Sequence, residues 1–199
     1  MRVFRSADHA FSPWKNGGGT TAEIAIGPPG ATLDAFDWRI SMARVASDGP
    51  FSSFPGVDRT LSIIDGAALR LSVDGRTVEL TTRSNPFSFP GDAAVHATRS
   101  AGDVIDLNVM SRRSHYAHRV SRIAAYGTLV PAEASILCLF CADGSLEVEC
   151  GGQAAHLGAR DSLFIEPAAA PLRWAGNSAT LLLIEILAVP CRKIPGTPS

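Results

Sequence analysis

Two cysteines spaced three residues apart are the first candidates for chemistry in this sequence. Cys138 and Cys141 form a Cys-x-x-Cys pair, a spacing used by redox-active thiols and by half of many zinc sites. Both lie in the continuous apolar run 136–141, which is typical of a buried strand. Residues three apart on a strand point to opposite faces of the sheet. We therefore expect buried structural cysteines rather than a redox pair or half of a metal site.

The histidines do not supply a ligand set for a metal either. The five histidines include His115 and His118, but the sequence contains no His-x-His, no His-Glu-x-x-His and no second Cys-x-x-Cys. Divalent metals require three or four convergent ligands. The sequence therefore predicts no metal site and no cofactor, and His96 is expected at the surface or behind the residues that contact a ligand.

The elements that must position any site are short strands. The 18 glycines and 13 prolines are spread along the chain and separate short alternating segments, a pattern typical of an all-β protein. Long helical periodicity is absent. Strands are predicted at 23–26, 37–45, 61–64, 69–73, 78–80, 87–89, 95–98, 104–110, 136–141, 146–150, 154–157, 163–165, 172–174 and 180–187.

An internal repeat relates the two halves of the chain. Shifting Leu69 onto Leu146, an offset of 77 residues, aligns the alternating segments and places Asp74-Gly75 over Gly151-Gly152. Asp74-Gly75 is the signal of a two-residue type I′ hairpin. The repeat predicts two tandem jelly-roll-type β-barrels that share an interface. The boundary is expected within 111–122, which gives a barrel with the ligand site at 1–115 and a structural barrel at 116–199.

Positions at which the two copies differ chemically are candidates for function. Alternation places Asp106 and Asn108 on one face of strand 104–110. Polar side chains on the inner face of a barrel are costly unless they are paired or face a liganded cavity, so the first barrel is the expected place of a site. One alternative is that Asp106 and Asn108 face solvent on an outer strand. A separate alternative concerns Arg59, which could be a surface ion-pair partner of Asp58 or Asp65.

A glycine-rich segment near the start of the chain is a further candidate. Trp14, Lys15 and Asn16 precede three glycines, so an aromatic face, a charge and an amide share one turn whose backbone can approach a partner closely. The segment is not a phosphate-binding P-loop, because the lysine precedes the glycines. A flexible β-turn is the alternative.

Four ordered motifs within residues 12–113 resemble the HutD/Ves family. They are Pro13-Trp-Lys-Asn-Gly-Gly-Gly-Thr-Thr-x-Glu-Ile24, Asp37-Trp-Arg-Ile-Ser-x-Ala43, Asp48-Gly-Pro-Phe-Ser-x-Phe-Pro-Gly-x-Asp-Arg59 and Asp106-Leu-Asn-Val-Met-x-Arg-Arg113. The resemblance implies a bicupin, which agrees with the double barrel. It also implies a non-catalytic regulatory protein that binds a histidine-degradation intermediate and moderates histidine utilisation; Ves members are linked to stress response.

The chemistry of those intermediates assigns roles within the site that the resemblance implies. N-formylglutamate and formiminoglutamate are dicarboxylates, whereas urocanate carries one carboxylate and an imidazole. Arg59 is expected to hold a carboxylate with its planar guanidinium. The amides of Asn108 and Asn16 suit a formyl group, and Trp14 or Phe54 would cover the apolar part. The remaining ligand-binding residues of this hypothesis are Lys15, Asp106 and Arg113.

A metal-independent cupin enzyme, an isomerase or hydrolase of a small polar acid, is the second hypothesis. Asp106 or Glu23 would be its base. A carboxylate with a shifted pKa beside an arginine in a closed pocket would favour the enzyme. An arginine with amides and no positioned base would favour the binding protein, and an exposed apolar patch would favour a protein-interaction module.

The charge balance excludes two classes of partner. There are 18 Lys and Arg against 19 Asp and Glu, for a net charge of −1, which argues against nucleic acid and anionic membrane surfaces. The first residues lack the apolar segment of a signal peptide, so a cytoplasmic protein is expected. The expected partner is a small carboxylate metabolite, and a homodimer is left open. With almost no net field, an acid must be held by a local cation.

Overall fold

The protein consists almost entirely of β-strands. The structure is a computed structural model that describes residues 1–14, 17–130, 136–165 and 170–190. Within these ranges the only regular element that is not a strand is a single 3-10 turn at Ser6–Asp8. No helix among them is long and apolar enough to cross a membrane. The prediction of an all-β chain is confirmed.

Three antiparallel sheets organise the strands. The six-stranded sheet has the order β2 (Phe11–Pro13), β3 (Gly19–Gly27), β4 (Trp38–Val45), β11 (Val104–Arg112), β6 (Val57–Asp65) and β9 (Phe87–Pro90). The four-stranded sheet has the order β5 (Gly49–Pro50), β10 (Val95–Arg99), β7 (Ala68–Val73) and β8 (Arg76–Thr81). The seven-stranded sheet has the order β1 (Arg2–Phe4), β16 (Ser162–Ile165), β14 (Ile136–Cys150), β17 (Leu172–Ala188) and β12 (Tyr116–Ile123), with β13 (Tyr126–Leu129) beside β17 and β15 (Gln153–Leu157) beside β14.

The six-stranded sheet is buried on both faces because its strands alternate between two apolar clusters. Val45 and Val104 pack with Leu69 of the four-stranded sheet. Met42 points the other way and packs with Phe140 of the seven-stranded sheet. We call the face that points to the four-stranded sheet the inner face. A polar residue on it is enclosed by protein and loses its contact with water.

The repeat is visible as two equivalent hairpins. β7 and β8 are joined at Asp74-Gly75, where φ is 46° and 81°. β14 and β15 are joined at Gly151-Gly152, where φ is 58° and 76°. Two successive positive φ values define the type I′ turn, whose twist matches that of the flanking strands. The hairpins predicted from the 77-residue offset are therefore confirmed.

The polar stretch 111–122, where a boundary was expected, contains most of β12. Tyr116 and Val120 pack against the apolar cluster between the two larger sheets, while Arg119 pairs with Glu185 at 3.3 Å. The two apolar residues that pack inward there are four positions apart, so the alternation with a period of two that reveals most strands is missing. β1 was also not predicted; it pairs with β16.

The strands predicted at 136–141 and 146–150 form the single strand β14. Its pairing with β17 shifts register at Cys141/Asp143 and again at Asp143/Ser145. Gly144 lies within the second shift and has a φ of +81°. Bulges let a long strand bend without ending, which explains why the polar residues 143–145 resemble a turn in the sequence.

The Cys-x-x-Cys pair is divided between two clusters. Cys138 packs in the cluster between the larger sheets, and Cys141 packs in the separate cluster within the seven-stranded sheet. Both are buried free thiols. Burial raises the pKa of Cys138 above its usual range and that of Cys141 to about 11. The prediction that these cysteines are buried on opposite faces is confirmed.

Candidate functional site

Three of the predicted site residues are enclosed on the inner face of the six-stranded sheet. Asp106 and Asn108 alternate along β11, and Arg59 lies on the neighbouring strand β6. Their exposed fractions are 1%, 6% and 4%. The alternative that Asp106 and Asn108 face solvent is therefore wrong. The surface ion pair of Arg59 is wrong as well, because Asp58 pairs with Arg113 and Asp65 pairs with Arg160.

Arg59 is held in a cage of aromatic rings. Its guanidinium carbon lies 5.4 Å from the centres of the Phe51 and Phe54 rings and 5.2 Å from that of Phe89. Such contacts stabilise a cation but do not neutralise it. Nη1 donates a hydrogen bond to the carbonyl oxygen of Ser52 at 3.1 Å.

The cation in this cage lacks a counter-ion. Nε of Arg59 has no hydrogen-bond partner, and no carboxylate of the described residues forms an ion pair with it. Burial lowers the pKa of Arg59 to about 10, with Asp106 opposing the shift and Arg39 adding to it. The side chain is still charged at neutral pH. A buried charge without a partner is costly, so this position favours an anion.

Asp106 and Asn108 add two unsatisfied acceptors to the same face. Oδ1 of each residue is buried without a hydrogen-bond partner. Burial raises the pKa of Asp106 to about 7, against the opposing charge of Arg59. Near neutral pH the Asp106 carboxyl group is therefore partly protonated and can donate a hydrogen bond as well as accept one. Unsatisfied groups clustered on one buried face are typical of a polar ligand site.

A second cation on the inner face was not predicted from the sequence. Arg39 on β4 lies directly opposite Met110 of β11, which in turn lies opposite Arg59 of β6. Nε of Arg39 pairs with Oε2 of Glu23 at 2.9 Å, and Nη1 is 3.3 Å from Oγ of Ser41. The alternation of β4 places Arg39 on the inner face, but the sequence does not show which strands pair. Only the pairing of β4 with β11, and of β11 with β6, places Arg39 near Arg59.

The aromatic residues predicted for the site fall near the same interior. Phe54 is one of the rings around Arg59. Trp14 packs on the apolar cluster of the inner face, and its Nε1 donates to Oγ1 of Thr21 at 2.7 Å. Lys15 and Asn16 lie outside the described residues. His96 is exposed on β10, in agreement with the surface position expected for it.

Arg113 is not brought to the buried face. Its Nε pairs with Asp58 at 2.6 Å and its Nη2 with Asp92 at 2.6 Å, with 39% of the side chain exposed. Nη2 also donates to the carbonyl oxygen of Val57 at 2.9 Å. These contacts join β6 to the turn after β9. The motif that ends at Arg113 suggested a site shared with Asp106 and Asn108, but Arg113 lies beyond the end of β11 and its guanidinium pairs with Asp58 and Asp92 at the surface.

A hydrogen-bonded chain on the opposite side of β6 was also not predicted. His118 of β12 contacts Oγ1 of Thr60 through Nε2 at 2.8 Å and Oγ of Ser111 through Nδ1 at 2.7 Å. Thr60 continues the chain to Ser88 at 2.7 Å. Burial lowers the pKa of His118 to about 4, with Asp58 opposing the shift. A groove of about 310 Å³ runs beside this chain and is lined by Asp58, Arg59, Thr60, Ser88, Phe89, Pro90, Ala117 and His118.

The described part of the chain contains no set of side chains suited to hold a metal ion. No group of three or more His, Cys, Asp or Glu side chains converges there. The chemistry available at the inner face is therefore that of two arginines, a buried carboxyl group, an amide and aromatic rings. This combination can hold an acid through charge and a formyl or amide group through hydrogen bonds.

The comparison with known families agrees with the motifs around this site. A model of the HutD family matches residues 6–182. The chain belongs to the HutD family. A curated relative from Pseudomonas putida, described as an uncharacterized 21.2 kDa protein in the hutC 3' region, is 32% identical over 167 residues, which are 83% of this chain and 87% of that protein. Protein Ves from Citrobacter koseri is 43% identical over 114 residues, 57% of this chain and 59% of its own.

Solved structures place the HutD family chain among cupin-like folds. The structure of HutD from Pseudomonas fluorescens SBW25 has a TM-score of 0.82 and 31% identity, covering 94% of this chain and 98% of that one. A cupin 2 conserved barrel domain protein from Leptotrichia buccalis has a TM-score of 0.61 and 9% identity, covering 95% of this chain and 97% of that one. At that identity the likeness shows the fold alone.

Proposed function

We propose that this chain is a non-catalytic regulatory protein that binds a small carboxylate at the inner face of the six-stranded sheet. The observation that carries the proposal is the Arg59 guanidinium, which is 4% exposed, caged by three aromatic rings and without a carboxylate partner. A carboxylate ligand would supply the missing charge and a partner for Nε. The neighbouring Asn108 would then meet an amide or formyl group.

Membership of the HutD family supports a role in histidine utilisation. The Pseudomonas putida relative is described by its position beside hutC, and N-formylglutamate, formiminoglutamate and urocanate all carry the carboxylate that Arg59 requires. The bound intermediate would report the flux through histidine degradation. The protein would act on that flux by a change in its liganded fraction rather than by turnover.

We infer that the fold is a bicupin of two tandem barrels divided near residues 115 and 116. The equivalent hairpins at Asp74-Gly75 and Gly151-Gly152 support this division. So do the two separate apolar clusters, one beneath the inner face and one within the seven-stranded sheet. In this arrangement the second barrel is structural, because its interior cluster is apolar, whereas the first encloses the polar site.

A metal-independent enzyme is the second candidate, and one observation favours it. Asp106 is a buried carboxyl group whose pKa of about 7 would suit a general base, and it interacts with Arg59. As the base of a hydrolase, Asp106 would have to exchange its proton with solvent in each cycle. Oδ1 of Asp106 has no hydrogen-bond partner within the described residues, so no side chain is placed there to relay a proton to or from that atom. This absence favours binding over turnover.

A thermal-shift screen with urocanate, formiminoglutamate and N-formylglutamate tests the proposed function. We expect at least one of them to raise Tm in a concentration-dependent way, because ligands stabilise the state that binds them. NMR of the same mixtures separates the two candidates, since a binding protein leaves the ligand unchanged. No shift with any of the three would contradict the histidine-pathway role, and conversion of a ligand would favour the enzyme.

A further inference from the structure

Two arginines flank one residue on the inner face. Arg39 and Arg59 each lie directly opposite Met110, on the strands to either side of β11. Adjacent strands are about 4.8 Å apart, so the two Cα atoms are separated by about 10 Å. The positive charge of Arg39 contributes to the lowered pKa of Arg59. The cations are therefore close enough to repel each other, and their side chains are long enough to meet one ligand from opposite ends.

The counter-ion of Arg39 is placed so that a ligand can displace it. The Arg39 side chain is 12% exposed, whereas that of Glu23, whose Oε2 lies 2.9 Å from Nε of Arg39, is 44% exposed. A half-exposed ion pair contributes little net stability. Glu23 can return to water at small cost, which leaves the whole planar edge of Arg39 for an incoming carboxylate.

We propose that Arg39 is a second anion anchor, and that the pair Arg39 and Arg59 selects dicarboxylates of about the size of glutarate over monocarboxylates. One carboxylate binds Arg59 within its aromatic cage, and the other binds Arg39 in place of Glu23. A dianion also relieves the repulsion between the two cations. Asn108 lies two residues before Met110 on the same face of β11. Its side chain would lie beside the part of the ligand that joins the two carboxylates.

This inference rests on the proposed function, because it needs Arg59 to bind a carboxylate. It adds a discrimination that Arg59 alone does not make. A site with one cation would bind mono- and dicarboxylates of the same length with similar affinity. A site with two cations would favour the dicarboxylate.

Calorimetry with glutarate and pentanoate at one fixed pH tests the inference, because the two acids share a chain length and differ by one carboxylate. We expect the wild type to prefer glutarate by at least about tenfold, the effect of a second charge-assisted contact. Arg39→Gln should abolish this preference and leave pentanoate affinity within about twofold. Glu23→Gln, an exposed change that should not disturb folding, should strengthen glutarate binding and leave pentanoate binding unchanged, because it removes the competing carboxylate.

Arg70→Gln is the matched control. Arg70 forms a cross-strand pair with Glu79 at 3.1 Å, but both side chains are more than half exposed on the four-stranded sheet. It should change neither affinity. A preference for glutarate that survives Arg39→Gln, or no effect of Glu23→Gln, would overturn the role of Arg39 while leaving Arg59 binding intact. Failure of the wild type to bind glutarate and pentanoate while it binds N-formylglutamate would overturn the selection by two charges alone, and failure to bind any of the three would overturn both proposals.

Discussion

Arg59 and Asp106 share the inner face of the six-stranded sheet without forming an ion pair. Asp106 lies opposite Ile63, whereas Arg59 lies opposite Met110, four residues further along β11. At about 3.4 Å per residue the backbone positions of the two residues are separated by about 14 Å along the strands. Each group therefore keeps an unsatisfied atom, with Asn108 between the two positions. The site is an extended polar strip rather than a closed ion pair, which is the form that a ligand with several polar groups requires.

Replacement of Asp106 should change how stability depends on pH. Burial holds the pKa of Asp106 at about 7, against 3.8 for an exposed group. Between these values the unfolded chain has released the proton and the folded chain has kept it, so folding stability falls as the pH rises through this window, by about 1.4 kcal/mol per pH unit. Asp106→Asn should therefore raise Tm relative to the wild type at about pH 8 and much less at about pH 4. An equal effect at both values would mean that Asp106 does not titrate in this way.

His118 should make folding stability depend on pH in the opposite direction. Burial lowers its pKa to about 4, against 6.5. Between pH 6.5 and pH 4 the histidine is protonated in the unfolded chain but not in the folded chain. The free energy of unfolding therefore decreases as the pH falls through this range. The Tm of His118→Gln, in which glutamine can still bond Thr60 and Ser111, should rise relative to that of the wild type as the pH falls from about 7 to about 4. The variants at Asp106 and His118 serve as controls for each other, and the double variant should be flatter than either. A steeper acid loss in His118→Gln would contradict this prediction.

Replacement of Arg113 should lower stability slightly and leave ligand affinity unchanged. Its guanidinium is occupied by Asp58 and Asp92 at the surface. Arg113→Gln is expected to lower Tm slightly, because exposed ion pairs contribute little, and to leave the affinity for glutarate within about twofold of the wild type. Calorimetry on the variant checks this. A loss of binding comparable to that of an Arg59 variant would return Arg113 to the site.

The sequence was sufficient for those features that follow from alternation. The period of two placed Asp106 and Asn108 on one face of β11 and separated Cys138 from Cys141, and the repeat predicted both hairpins. The sequence did not predict Arg39 as a site residue. Arg39 comes near Arg59 only because β4, β11 and β6 pair, and these strands are distant in the chain. His118 was missed for a related reason: it lies in a polar stretch whose burial comes from packing on β6. Arg113 was included from its motif, and its partners on β6 and after β9 are visible only in the fold.

The measurement that tests the central claim most directly is titration of N-formylglutamate into the wild type and Arg59→Met. Methionine fills much of the volume of arginine without charge, so the fold should keep or gain stability when a buried, unpaired cation is removed. Arg70→Met is the control at an exposed position. We predict that Arg59→Met loses binding by at least about a hundredfold, the scale for loss of a buried charged contact, while Arg70→Met binds like the wild type. Wild-type affinity in a folded Arg59→Met protein would contradict the account.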